Sequence, residues 1–197
     1  MTDRRIAAIP TEYRGVHMRS RLEARHASFF DLVGWTWDYE PYDLNGYIPD
    51  FVIDSRLVIE CKPSIGADWH VAGINKIARA QGLRRSGMAA VVSGSTPWVS
   101  GDYLAMGYRA TVSGREPVRH DREVWFAGCE PCAGLTLCDV PPVHGGTCLR
   151  CGFAELYDLE PGAPEVMDQW REAGSVVQWR AADAYATSLF DAAKEEK

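Results

Sequence analysis

The chain lacks any run of about 18 apolar residues, so the sequence predicts no membrane-spanning helix. Its opening, MTDRRIAAIP, carries two arginines but an apolar patch too short for a secretory leader. Internal repeats and low-complexity segments are absent, so a folded, non-repetitive chain is expected. Nor is there an excess of positive charge: the formal net charge of −6 argues against a simple nucleic-acid coat. That deficit is local. Residues 154–197 hold ten acids and four basic residues, whereas residues 1–153 are balanced at seventeen of each. Residues 1–30 hold six arginines against three acids, which allows a phosphate-binding surface there without demanding one. Cysteine is scarce outside one stretch: five of the six fall within residues 129–151. With no export signal and grouped thiols, a reducing cytoplasm is the expected compartment.

What is present fits one sizeable soluble domain, or a smaller domain with an appendage, in 197 residues. Residues 20–33 have apolar positions at helical spacing (Leu22, Ala27, Phe29, Phe30, Val33), with Gly34 as a stop. Three strands are expected next: 35–44, bounded by the Asn45-Gly46 turn; 47–53; and 56–62, after a turn at Asp54-Ser55. Pro63 ends the third. Residues 67–86 read as a second helix with Val71, Ile74, Ile77 and Ala78 inward, and 88–94 as a buried strand. Over 95–122 the pattern weakens into Gly, Ser, Pro and charge, and a domain boundary is expected near 118–122. Short helices are expected over 164–173 and 181–194, the latter with Tyr185, Leu189 and Phe190 on one side. The expected class is α/β or α+β, a mixed sheet flanked by helices. The expected division is 1–120, 121–160 and an acidic helical segment, 161–197.

The stretch YIPDFVIDSRLVIECK (47–62) places three charged side chains among residues that favour burial. Alternation in a strand puts Ile48, Asp50, Val52 and Asp54 on one face, and Val58, Glu60 and Lys62 on one face of the next strand. In matching register Asp50, Glu60 and Lys62 converge. Unpaired, such groups are costly to bury. An open face, an ion pair through Lys62, or a divalent cation held by both carboxylates would each compensate them, and spacing alone leaves these open.

Pro49-Asp50, nine residues, then Glu60-Cys61-Lys62 resembles the signature of the PD-(D/E)XK nuclease superfamily. The order of elements is similar, and RSRLEAR, WDYEP, YIPDF and IECKP together resemble nucleases common in phages and bacteria. The likeness covers residues 13–94. It implies a restriction-endonuclease-like core and a nuclease dependent on Mg²⁺ or Mn²⁺, acting on nucleic acid, with DNA the expected substrate. It implies that Asp50 and Glu60 ligate the metal, with the Cys61 carbonyl a further ligand. Lys62 would orient or activate the attacking water. Glu23, on the first helix, and Gln81, on the second, would join the site, with Lys76 a weaker candidate. Glu23 also fits a helix capping box with Ser20, and Gln81 also fits a boundary position. His17, Arg19 and Arg21 would face phosphates or stand as ordinary solvated residues.

Cys129-x2-Cys132 and Cys148-x2-Cys151, fifteen residues apart, have the spacing of a structural four-cysteine Zn²⁺ site. Each pair is followed by a small turn, Ala133-Gly134 or Gly152, and the flanks read as strands, so a zinc ribbon is expected. Four thiolates leave no open position for catalysis by that metal. Cys138 and His144 lie in the intervening loop, Cys138 as a small packed residue. The ribbon or the acidic tail would serve a partner protein, nucleic acid or the fold itself. The alternative to a nuclease is a non-catalytic module that binds nucleic acid or protein, with a nuclease-like fold and structural zinc.

Overall fold

The structure, a computed structural model, describes residues 8–64, 68–110 and 122–178. The expected helix over 181–194, most of the expected boundary at 118–122, and the end of the acidic segment lie outside the described residues.

A small hairpin, β1 (Thr11–Tyr13) and β2 (Val16–Met18), precedes α1 (Arg21–Leu32). Ser20 caps α1, accepting the Glu23 amide at 3.2 Å. At the far end Gly34 takes φ +71°, its N–H meets the Asp31 carbonyl, and the Trp35 N–H meets Phe30. These two bonds form a Schellman stop, as the sequence predicts.

The main sheet has eight strands. Its order is β10 (Leu156–Tyr157), β8 (Glu123–Cys129), β7 (Tyr103–Ala110), β6 (Ala89–Ser100), β5 (Leu57–Cys61), β4 (Phe51–Ile53), β3 (Trp37–Tyr39), and β9 (Gly134–Cys138) also pairs with β8. Among the described strands only β5 and β6 run parallel; the crossover between them contains α2 (Val71–Ala78) and α3 (Gln81–Ser86). A further helix, α4, covers residues 164–178, longer than the expected 164–173.

The sheet separates two cores. Phe51, Ile53, Leu57 and Ile59 face α1 and the α4 residues Trp170, Ala173 and Val177. Val52 and Val58 face the other way, against Ile74, Ile77 and Leu83 of α2 and α3. The mixed α/β class is therefore observed, with helices on both faces of a mixed sheet.

Several expected elements differ. The strand expected over 35–44 is three residues long, because Glu40 turns to φ +44° ahead of Pro41. The chain then makes an excursion through the Asn45-Gly46 turn and returns to the sheet only at Phe51. The helix expected over 67–86 is two helices, broken where Ala80 is extended (ψ 94°). The break fits Gly82 against the backbone of Leu44, where a Cβ would come within 2.6 Å of a carbonyl oxygen. The strand expected over 88–94 runs to Ser100, and β7 follows it inside the region that looked irregular. Pro97 hid this: it lies where the β6–β7 register shifts between Ser93 and Trp98, and a bulge tolerates a residue with no N–H.

Candidate functional site

The β4–β5 pairing matches Phe51 with Ile59 and Val52 with Val58, so its continuation sets Asp50 opposite Glu60. Both side chains are buried, Asp50 at 3% exposure and Glu60 at 0%. Every carboxylate oxygen has a partner. Asp50 Oδ2 accepts the Cys61 N–H at 2.7 Å, and Oδ1 accepts Arg19 Nη2 at 2.8 Å. Glu60 Oε1 accepts Lys62 Nζ at 2.7 Å and Lys76 Nζ at 2.8 Å; Oε2 accepts the Tyr47 hydroxyl at 3.0 Å. Lys62 thus makes the ion pair that alternation allowed. α2 comes close enough for this because Gly73 lies on Val92 and beside the Lys62 stem.

These partners divide the two acids. Burial raises the Asp50 carboxyl, and the Glu60 charge raises it further, despite the Cys61 amide. Burial also penalises ionised Glu60, yet bonds from Lys62 and Lys76 more than offset this and hold it below its ordinary range. Of the two acids, Asp50 is therefore the harder to ionise. Burial would lower Lys62, but the bond to Glu60 holds its pKa above the ordinary value.

Glu23 closes the third side. Its Oε1 accepts the Ser20 hydroxyl at 2.9 Å; its Oε2 accepts the Arg19 N–H at 3.0 Å and the Tyr39 hydroxyl at 2.7 Å. Only half of the expected capping box forms: Ser20 caps the Glu23 N–H, but Glu23 returns to the Ser20 hydroxyl and the Arg19 N–H rather than to the Ser20 N–H. The same carboxylate acts electrostatically on Asp50, so the capping position also lies at the site. Burial and the bond to Glu23 push the Tyr39 hydroxyl up to about 12. A cavity of about 360 Å³ opens beside this group, lined by Ile9, Ser20, Arg21, Glu23, Lys62 and Pro63 among others.

The structure thus brings Glu23, Asp50, Glu60, Lys62 and the Cys61 backbone together. It does not bring Gln81, which is exposed at the start of α3; Lys76 reaches Glu60 instead. His17 is exposed and lies 3.7 Å from Glu12. Arg19 is committed to Asp50 and Glu40. Sequence reasoning missed Tyr39 and Tyr47, because a tyrosine in an aromatic-rich stretch reads as packing. Their one signal was proximity to the charged positions in WDYEP and YIPD.

The second cluster is Cys129, Cys132, Cys148 and Cys151. Their sulfurs lie within 4.8 Å of one another, with contacts of 3.6 Å (Cys129–Cys151) and 3.7 Å (Cys132–Cys148). Bonds of about 2.3 Å to a tetrahedral ion put sulfurs about 3.8 Å apart, so the donor set fits such a metal. The Cys151 N–H donates to Cys148 Sγ at 3.3 Å, as the tight turn at Gly152 (φ +84°) allows. This quartet could hold a metal ion. Among the described residues, no other set of three or more His, Cys, Asp or Glu donors closes as tightly. Cys138, in β9, is bridged to Cys148 through the backbone, but its sulfur stands outside the quartet, its thiol pushed up to about 12 by burial.

The quartet is fastened to the β4–β5 turn. Arg56 Nη1 donates to the Cys151 carbonyl at 2.8 Å; Arg150 Nε donates to Asp54 at 2.6 Å while its guanidinium covers the Trp35 ring. One hairpin therefore carries the acidic group at one end and the cysteine cluster at the other.

Comparison with protein-family models, with curated proteins and with solved structures finds no match for this chain. Among the described residues, no helix is long and apolar enough to cross a membrane.

Proposed function

We propose that the protein is a divalent-metal-dependent nuclease with a restriction-endonuclease-like core, hydrolysing phosphodiester bonds of nucleic acid, with DNA the substrate. The observation that carries this reading is the buried pair Asp50 and Glu60 on facing positions of one hairpin, with Lys62 bonded to Glu60. Paired carboxylate oxygens suit Mg²⁺ or Mn²⁺, so Asp50, Glu60 and the Cys61 carbonyl would hold the ion. A bound ion would supply Lewis acidity and lower the pKa of a water. Lys62 orients the attacking water and offsets charge on the phosphate. Tyr47 and Lys76 hold Glu60 in place, Arg19 and the Cys61 amide hold Asp50, and Glu23 adds negative charge beside the pair. The cysteine quartet would hold structural zinc in a ribbon, since four thiolates leave no position for substrate.

The test incubates purified protein with linear, nicked, branched and single-stranded DNA, and with RNA, in Mg²⁺, Mn²⁺ or EDTA. Asp50→Ala and Lys62→Ala run alongside. Cleavage that needs metal and disappears in both variants supports the reading. No cleavage by the wild type, or equal cleavage by the variants, overturns it and leaves a binding module.

A further inference from the structure

The chain is acidic as a whole, yet residues 69–101 contain four basic residues and no acid. These four, Lys76, Arg79, Arg84 and Arg85, are all exposed on or beside α2 and α3. Lys76 connects them to the site through Glu60. The opposite flank of the same layer is aromatic. His70, at the N-terminus of α2, stacks on Tyr108 of β7 with ring centres 3.8 Å apart and planes 21° apart. Trp98 of β6 also stacks on Tyr108, at 5.5 Å and 30°, and Trp69 meets Tyr108 edge-on at 5.7 Å.

Register places these groups relative to the acids. Glu60 pairs with Val92 and Val92 with Tyr108, so Glu60 and Tyr108 lie in one row, two strands apart. That is roughly 10 Å at the usual strand spacing. Pairing also keeps the row on one face, the face covered by α2. Trp69 and Tyr108 rest partly on the second core, which accounts for their inner sides. It does not account for Trp69, Trp98 and Tyr108 all remaining partly exposed on one patch, where the Trp98 Nε1 donates to Glu123, nor for the four exposed cations of the helices.

We propose that the α2–α3 layer is a binding surface for single-stranded nucleic acid, with phosphates on the arginines of α2 and α3 and an unpaired base stacked on Trp98 and its neighbours. Basic tracks flanked by open aromatic faces take single strands, because an unpaired base offers a π-face that a duplex keeps stacked. The inference rests on the nuclease reading for where the strand is cut: a strand crossing from the arginines to the aromatics along α2 passes Lys76, which bonds the buried Glu60. The substrate at that site is then a single strand or an unpaired end.

The test measures binding in EDTA, where no cutting occurs, by fluorescence anisotropy. The probes are labelled oligothymidine, its RNA counterpart and a blunt DNA duplex of equal length, at several salt concentrations. The expected result is single-strand binding at least about tenfold tighter than duplex binding. The R84A/R85A double variant should weaken it and flatten the logarithmic salt dependence by one to two units. Trp98→Ala should weaken it about tenfold with the salt dependence unchanged. Trp98→Phe, which retains a ring, should restore most of the affinity and guards against a folding defect, with circular dichroism as a check. Equal or tighter duplex binding overturns the proposal, as do folded variants that bind like the wild type. A protein that binds single strands but never cuts keeps this surface and loses the nuclease reading. One that cuts duplex without preference does the reverse.

Discussion

Glu23 serves a helix and a site at once, and single substitutions separate the two duties. Ser20→Ala removes the cap and should cost about 1 kcal/mol of stability, read as a lower Tm. Glu23→Gln keeps an amide that can still bond Ser20 and the Arg19 N–H but removes the charge beside Asp50. It should leave Tm nearly unchanged while weakening Mn²⁺ binding by calorimetry; unchanged Mn²⁺ affinity would confine Glu23 to the cap. Lys76 and Gln81 form a second contrast. Lys76→Ala should lower cleavage about tenfold, because Glu60 loses one of two ammonium partners, and Gln81→Ala should alter it less than about twofold. The sequence ranked these two the other way, since an unbroken helix would have carried Gln81 inward. His26 supplies a pH signature. Its ring is fully buried between the Leu22 carbonyl and Ser93, and burial lowers its pKa to about 4 from an ordinary 6.5. The unfolded chain takes up this proton near pH 6.5, the folded chain not until about 4. The contribution is therefore complete above about 6.5 and is lost as pH falls through that window, on the order of 3 kcal/mol in all. His26→Gln should show a smaller loss of Tm between pH 7.5 and 5.0 than the wild type; equal losses would refute this.

At the scale of elements, legibility followed how local the signal was. The cap and stop of α1 were readable because each depends on neighbouring residues: Ser20 with Glu23, and Gly34 with Asp31 and Phe30. The hairpin that carries Asp50 and Glu60 was readable because strand alternation fixes faces without knowledge of the rest of the fold. The β6–β7 pair was not, because the register shift that accommodates Pro97 is set between two strands. Of the two tyrosines that grip the acids, Tyr47 reaches Glu60 from an excursion of the chain that no periodicity encodes, and Tyr39 reaches Glu23 from β3 across to α1. The cysteine quartet was legible from spacing, but its fastening to the β4–β5 turn through Arg56 and Arg150 was not. That fastening makes a prediction. Arg150→Ala leaves all four thiolates in place, yet removes the bond to Asp54 and the cover on Trp35. Bound zinc per chain should stay near that of the wild type while Tm falls; loss of zinc would place Arg150 in metal retention instead.

For the whole molecule, one sheet runs from β3 to β10, so the cysteine-bearing strands and the acid-bearing strands share a hydrogen-bonded ladder. Stripping metal with a chelator under reducing conditions should therefore lower Tm for the entire chain, by roughly 10 °C or more, in one transition. Two separate transitions, with the higher unchanged, would show that the quartet stabilises only its own surroundings. The ladder also bears on how the chain can be shortened. β7 is an eight-residue strand bonded on one side to β6 and on the other to β8. A chain ending at Ala110 would bare that second side as a long, largely apolar edge, open to pairing with other copies. Such a fragment should aggregate, whereas the full chain stays dispersed under light scattering. The strands that follow Ala110, β8 first among them, thus guard the molecule against self-association.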